Sequence, residues 1–294
     1  MLIAVIGDCL LDISVRPSRP MRLGADAPAA IRLSPGGQGA NVAVRLARRG
    51  ARVRLITGLA DDPTGRFLRE AMDAEGVELV AMPVAASGSV IALLDGDGER
   101  TMLSDRAPFA VEDLPDFIAD AGWVHVSGYA LRDANGAALA QLLSQRTTSV
   151  RLSIGGGSVP PGDEAAEAAE RLSTARADVL MLSRDEAEHL GADLATLVVV
   201  TEGAAGSSAL GVTPVPLHVP ARVLTEAVVD ATGAGDAYAA ALIKGLAALA
   251  TWPPSAEDLR QAMVAASDLG AAVSRIGGAQ GRVARERASE QAIP

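Results

Sequence analysis

Short apolar runs alternate with longer amphipathic stretches along this chain. Residues 2–6, 53–57, 123–127, 179–182 and 197–201 are β-branched or apolar and read as strands. Residues 65–75, 134–145 and 162–174 space their apolar positions as helices and separate several of those runs. This alternation predicts an α/β fold, a doubly wound and mostly parallel sheet with helices on both faces. Ligands of such sheets bind beyond the carboxyl ends of the strands. Asp12, Thr201 and the loop from Asp230 to Asp236 fall at such ends. No repeat of solenoid period is visible.

Two stretches break the alternation. Residues 89–94 and 99–104 are strand-like and flank Asp95-Gly96-Asp97-Gly98, a strong hairpin signal. Residues 13–34 carry Pro17, Pro20 and Pro28, run into Pro35, and hold extended runs at 13–16 and 29–33. Together the two stretches are expected to form one small β lid, about 13–34 and 89–104, on a single domain spanning 1–294. The plain alternative is two surface hairpins.

The candidate chemistry sits in two glycine loops that open into helices. The first to draw notice is Asp230-Ala231-Thr232-Gly233-Ala234-Gly235-Asp236, followed by Ala237-Tyr238-Ala239-Ala240-Ala241-Leu242-Ile243. The first N–H groups of a helix lack internal partners and attract an anion such as a phosphoryl group. Asp236 would lie beside that anion, placed to take a proton from an attacking hydroxyl. The same N–H groups favour an ionised Asp236, hence a weak base that works only if the proton leaves late. A plain helix start, with Asp236 serving the macrodipole, is the alternative. The second loop is Pro35-Gly36-Gly37-Gln38-Gly39-Ala40-Asn41, leading into a helix that Gly50 stops. The Asn41 amide suits vicinal hydroxyls, or else helps cap the helix.

Taken together, in this order and spacing, the two loops resemble the two signatures of the PfkB, or ribokinase-like, family of carbohydrate and nucleoside kinases. Gly7-Asp8-Cys9-Leu10-Leu11-Asp12 and Thr201-Glu202-Gly203-Ala204-Ala205-Gly206 are further landmarks, and the likeness covers essentially the whole chain. It implies a ribokinase-like fold and transfer of the γ-phosphoryl group of ATP to a sugar hydroxyl. Asp236 matches the family's base, and Gly233, Ala234 and Gly235 its anion hole. Asp12, Gly36, Gly37, Gln38 and Asn41 match positions around the sugar, with Arg100 a candidate to reach substrate from the hairpin. Arg106 is a weaker candidate of the same kind, with solvated surface charge as the alternative. Ser183, Thr201, Gly203 and Gly206 match nucleotide contacts, and Glu186 the acid that organises magnesium and phosphate. Asp230, Thr232, Ala272, Arg275 and Gly277 match a monovalent-cation site, so ATP, Mg²⁺ and K⁺ are the implied cofactors. The lid implies a homodimer.

Departures from the pattern are Ser183 for Asn, Gln38 for Lys, Ala231 for Thr and Ala60 for Gly. The loop Ser153-Ile154-Gly155-Gly156-Gly157-Ser158 lacks a following Gly-Lys-Ser/Thr, so it is no Walker loop and reads as a flexible turn at the rim. A nucleoside kinase needs a platform for its base, and the lid stretches offer almost no aromatics. A non-catalytic sugar-binding protein on this fold is the alternative from another class.

Composition narrows the partners. The 294 residues are 49% hydrophobic, 21% charged and 2% aromatic, an Ala/Val/Leu core rather than disorder. A net charge of −10 offers no basic field for nucleic acid. Cys9 is the only cysteine, which excludes an intrachain disulfide, and a small buried residue is its expected role. The three histidines, His125, His189 and His218, lack zinc-ligand spacing. No apolar run is long enough for a membrane span and the start lacks a signal-peptide pattern, so a cytoplasmic enzyme is expected.

Overall fold

The structure, a computed structural model, describes residues 1–22, 24–94, 100–191, 193–224, 228–276 and 278–281. In chain order the elements are β1 (Leu2–Ile6), β2 (Leu10–Pro17), β3 (Ala29–Gly36), α1 (Gln38–Ala47), β4 (Arg52–Gly58), α2 (Pro63–Ala74) and β5 (Glu78–Met82). There follow β6 (Ser89–Leu94), β7 (Arg100–Asp105), α3 (Leu114–Ile118), β8 (Trp123–Val126), α4 (Gly128–Arg132), α5 (Gly136–Ser144), β9 (Arg151–Gly155) and α6 (Asp163–Ala175). The chain continues through β10 (Val179–Ser183), α7 (Arg184–Leu190), β11 (Leu197–Thr201), β12 (Ser207–Leu210), β13 (Leu217–Val219), α8 (Ala234–Ala247) and α9 (Ala256–Val273).

One sheet runs β13-β12-β11-β10-β9-β8-β1-β4-β5. It is parallel from β11 to β5, and β12 and β13 join it antiparallel. The chain leaves β1 for β4 and β5, then returns to β8 on the other side of β1, with Val5 opposite Leu55 and His125. That reversal opens a crevice at the carboxyl end of β1.

Alternate residues of β1 serve two cores. Ile3 and Val5 join Val44 and Leu46 of α1, Leu242 of α8 and Met263 of α9. Leu2, Ala4 and Ile6 join Leu114, Leu139, Leu143 and Leu172 from α3, α5 and α6. A strand buried on both sides has no polar face, which is why it appears as an unbroken apolar run. Each buried Leu or Ile contributes about 1.5–3 kcal/mol. Cys9 is buried, as expected, and its thiol is pushed up to about 12 by loss of hydration and the Asp8 charge.

Two helix boundaries differ from the sequence reading. The run 134–145 is the single helix α5, which starts only at Gly136, apart from the short α4 that ends at Arg132. Asp133 accepts the Asn135 N–H at 2.9 Å and Asn135 donates to the Phe109 carbonyl at 2.8 Å, a local turn that competes with helix. Helix α2 begins earlier, at Pro63, because Asp62 caps it through the Gly65 N–H at 2.6 Å.

The second sheet runs β3-β2-β6-β7. The two stretches do pair, through parallel β2 and β6, with Ile13 opposite Ile91. The hairpin turn at Asp95–Gly98 lies outside the described residues. Register puts Ile13, Val15, Ile31, Leu33, Ile91, Leu93 and Leu103 on one face, and Asp12, Ser14, Ser34, Val90 and Ala92 on the other. Ile31, Leu33 and Leu103 are 62%, 61% and 54% exposed, whereas Val90 and Ala92 are buried.

Candidate active site

A cleft of about 210 Å³ opens where the ends of β8 to β11 meet the first turns of α1 and α8. Gln38, Ser183, Glu186, Thr201, Gly235 and Asp236 line it, so residues nearly two hundred positions apart meet in one place.

Asp236 is in the first turn of α8 and half-buried. Loss of hydration pushes its carboxyl up to about 7, and the nearby Asp8 charge adds to this. The Asn41 hydrogen bond and the Arg45 charge act the other way and are outweighed. The expectation that the helix terminus favours an ionised, weak base is therefore corrected: desolvation outweighs it. A carboxyl with this value has useful basicity near neutral pH.

The turn before it is built on Gly233, the N-cap of α8, at φ 76°. A Cβ there would come within 2.7 Å of the Ala279 side chain and 2.8 Å of its Cα. At Gly235 a Cβ would meet nothing within 4 Å, leaving room for a ligand. The Ala234 N–H is not open as expected, since it closes a turn onto the Ala231 carbonyl at 3.2 Å. Intrahelical bonding starts with Ala237 to Gly233 at 2.9 Å, so the Gly235 and Asp236 N–H groups precede it and are the better anion donors.

Asn41 lies against the Asp236 carboxyl. It is 6% exposed, its Nδ2 donates to Asp236 Oδ2 at 2.8 Å, and its Oδ1 accepts from Gln280 Nε2 at 3.1 Å. The amide thus joins Asp236 to Gln280, with one further N–H and one further lone pair beyond these two bonds. Gln38 lines the cleft, but its amide also ties protein segments together. It donates to the Gly156 carbonyl at 2.8 Å and accepts from the Ser127 hydroxyl at 2.7 Å and the Gly128 N–H at 3.0 Å.

Ser183 caps α7 and forms a reciprocal capping box with Glu186. Glu186 Oε1 accepts the Gly157 and Ser158 N–H groups at 2.8 and 2.7 Å. Its Oε2 accepts the Ser183 N–H and hydroxyl at 2.8 and 2.9 Å. A Cβ on Gly156 would come within 2.2 Å of that carboxylate. The loop read as flexible is thus pinned: Ser153–Gly155 belong to β9, and the next residues are held by Glu186. With four protein donors on its oxygens, Glu186 does not fit direct metal ligation. No group of three or more His, Cys, Asp or Glu suited to a metal occurs among the described residues.

Thr201 ends β11 at the cleft, with its hydroxyl on the Leu182 carbonyl at 3.3 Å. Gly203 and Gly206 shape the turn beyond it and do not line the cleft; Gly206 abuts the Val219 carbonyl. Asp230 Oδ1 accepts both the N–H and the hydroxyl of Thr232, and its Oδ2 accepts the Gly278 N–H at 3.0 Å. The Val229 and Asp230 N–H groups bond the Ser274 carbonyl just past α9. The expected cation group is thus gathered in part, Asp230 and Thr232 near the end of the helix carrying Ala272, with Arg275 exposed. Gly277 lies outside the described residues, as does the Arg100 side chain.

At the base of the lid, Asp12 is opposite Ser34 in the β2–β3 ladder and diagonal to Gly36, where a Cβ would come within 3.3 Å of Asp12 Oδ2. Gly37 is the N-cap of α1. Beside them lies a cluster whose pairing the sequence did not show, although it marks both Arg106 and the stretch holding Asp8. Asp8 Oδ1 accepts the Gly39 N–H and the Ser127 hydroxyl, both at 3.3 Å, and its Oδ2 pairs with Arg106. The Arg106 guanidinium lies 3.6 Å over the Tyr129 ring. Arg106 is therefore not solvated surface charge. The signal available was Asp8 directly after β1, at a strand end.

His125 is fully buried at the cleft wall. Burial pushes its imidazole down to about 4, so it is neutral. Its Nδ1 is 3.0 Å from the Ser153 hydroxyl, which also accepts the Trp123 indole N–H at 2.8 Å.

The profile of the "pfkB family carbohydrate kinase" matches residues 1–284. A fructokinase of Klebsiella pneumoniae is 33% identical over 272 residues, 83% of this chain and 84% of that protein. An aminoimidazole riboside kinase of Salmonella typhimurium is 31% identical over 252 residues, 74% of this chain and 75% of its own. Among solved structures, a fructokinase with bound ATP from Xylella fastidiosa superposes with a TM-score of 0.78 at 25% identity, covering 95% of this chain and 94% of that one. No described helix is long and apolar enough to cross a membrane.

Proposed function

This chain belongs to the pfkB family of carbohydrate kinases, and from that premise we propose that it transfers the γ-phosphoryl group of ATP to a sugar hydroxyl with Asp236 as general base. The carrying observation is the position of the Asp236 carboxyl, raised to about 7, beside the open Gly235 turn at the start of α8. The cleft reaches from there to Thr201, which gives the triphosphate a path along the strand ends. Gly235 and Asp236 N–H groups, with the α8 dipole, offset charge on the transferring group. Magnesium would come with the nucleotide and offset phosphate charge, while Glu186, its oxygens held by four protein donors, would fix the loop beside it. The reading assigns a monovalent cation, K⁺, to the loop between Asp230 and the end of α9.

The sugar lies under the second sheet, between Asp12 and the Asp8–Arg106 pair. Lid closure over it excludes water as a competing acceptor. Asp12→Ala is expected to weaken sugar binding by ~1.5–3 kcal/mol, the range for hydrogen bonds to charged groups. ATP affinity should hold, and calorimetry showing equal losses for both ligands would contradict the assignment. A nucleoside is the second reading, since Tyr129 is an aromatic at this spot. One face of its ring is already covered by Arg106, which favours the sugar.

ADP release measured with MgATP against fructose, ribose, aminoimidazole riboside and adenosine tests the proposal. Release dependent on a sugar supports it. Release with the nucleosides alone favours the second reading, and ATP binding with no acceptor-dependent release across the panel would indicate a non-catalytic protein.

The exposed apolar face of the lid sheet, centred on Ile31, Leu33 and Leu103, suits a second copy of the chain. Sedimentation is expected to show a dimer that Leu33→Glu converts to monomer. A wild-type monomer whose lid strands show no change in hydrogen exchange on adding sugar would remove both the dimer and the lid.

A further inference from the structure

Residues 278–281 cross both glycine loops. Gly278 donates to Asp230, and Ala279 is in contact with Gly233. From α1, Arg45 Nη2 donates to the Ala279 carbonyl at 2.8 Å, and Arg48 Nη1 donates to the Gln280 and Gly281 carbonyls at 2.8 and 3.3 Å. Arg48 is itself held by Glu75 at 2.7 Å through two hydrogen bonds. The segment is therefore fixed by main-chain contacts on both sides, and Gln280 Nε2 reaches toward the cleft to donate to Asn41 Oδ1 at 3.1 Å.

An Asn amide offers an acceptor on one side and donors on the other, and little in its own torsion chooses between them. We infer that Gln280 is a positioning residue: by donating to Asn41 Oδ1 it turns the Asn41 amide so that Nδ2 donates to Asp236. Without that donor, the amide can rotate and present Oδ1 to the carboxylate. An acceptor facing Asp236 favours its protonated form, whereas a donor favours the ionised form that takes a proton. The segment thus ties the base's readiness to the assembly of both loops. The catalytic meaning rests on the reading of Asp236 as base; the hydrogen-bond relay does not.

Other groups around Asp236 set a constant background. Asp8 after β1 raises its value and Arg45 of α1 lowers it. His125 of β8, neutral, Glu186 of α7, its oxygens occupied, and Tyr238 of α8, pushed up to about 12, share the cleft wall.

The test is to titrate the Asp236 carboxyl by ¹³C NMR in the full-length protein, assigning the signal by its loss in Asp236→Asn. Gln280→Leu removes the donor, and Gln280→Glu replaces it with an acceptor. The midpoint is expected to rise by about 0.5–1 pH unit in Gln280→Leu, the equivalent of one lost hydrogen bond, and further in Gln280→Glu. The acid limb of kcat/KM should move with it, with the rate recovering at high pH. An unmoved midpoint in both variants, or a Gln280→Leu protein that loses ATP binding as well, would overturn the inference. A midpoint that moves while Asp236→Asn keeps wild-type turnover would leave the relay standing and remove the base assignment instead.

Discussion

Replacing Asp236 by Asn is expected to lower kcat by ~10²-fold or more, with sugar and nucleotide affinity almost unchanged. The substitution keeps the shape and still accepts from Asn41 Nδ2, but it cannot take a proton. In the wild-type enzyme the base must be ionised, so kcat/KM should rise with pH through about 7 and then level. The same carboxyl makes a stability prediction of defined sign. Its folded-state value is raised, so the folded protein holds the proton more tightly than the unfolded chain. That contribution is present below the ordinary carboxylate range and is lost as pH rises through about 7. Asp236→Asn removes the loss and should be the more stable protein at pH 8, by ~1–2 kcal/mol given the solvent that still reaches the group. Denaturant melts at pH 5 and pH 8 measure this, and a variant with near wild-type turnover would refute the assignment.

Gly233→Ala should damage fold and activity together. The position needs φ of 76°, and its new methyl group would meet Ala279 backbone and side chain below 3 Å. Positive φ costs ~1–2 kcal/mol for a residue with a Cβ, and overpacking ~1–3 kcal/mol more. The damage falls where the anion turn meets residues 278–281, so a loss of turnover of the order of 10²–10³, as for a lost oxyanion donor, is expected. Gly235→Ala is the contrasting case. It has free space around its Cβ and a helical position, so it should gain up to ~1 kcal/mol of stability while its methyl group occupies the anion's place. A Gly233→Ala protein that melts and turns over like wild type, or a Gly235→Ala protein with undiminished ATP affinity and rate, would contradict this geometry.

The alternation of apolar runs and amphipathic stretches determined the sheet, because a strand buried on both faces must be apolar throughout. Strands β1 and β11 appear in the structure with the limits read from their sequence. Glycine loops opening into helices marked the starts of α1 and α8, since that chemistry is local. What the sequence by itself could not determine was which side chain answers which. Asn41 and Asp236, Gln280 and Asn41, and Arg106 and Asp8 meet only once the sheet reverses at β1 and the lid strands fold back. Residue type suggested a ligand contact for Asn41, and the family resemblance one for Gln38; only the tertiary contacts show the protein partners that their amides also hold. Asp236 shows the same division. Its place at a helix start argues for ionisation, but solvent removed by packing of α1, β8 and α8 around it raises its pKa, and that desolvation exists only in the folded chain.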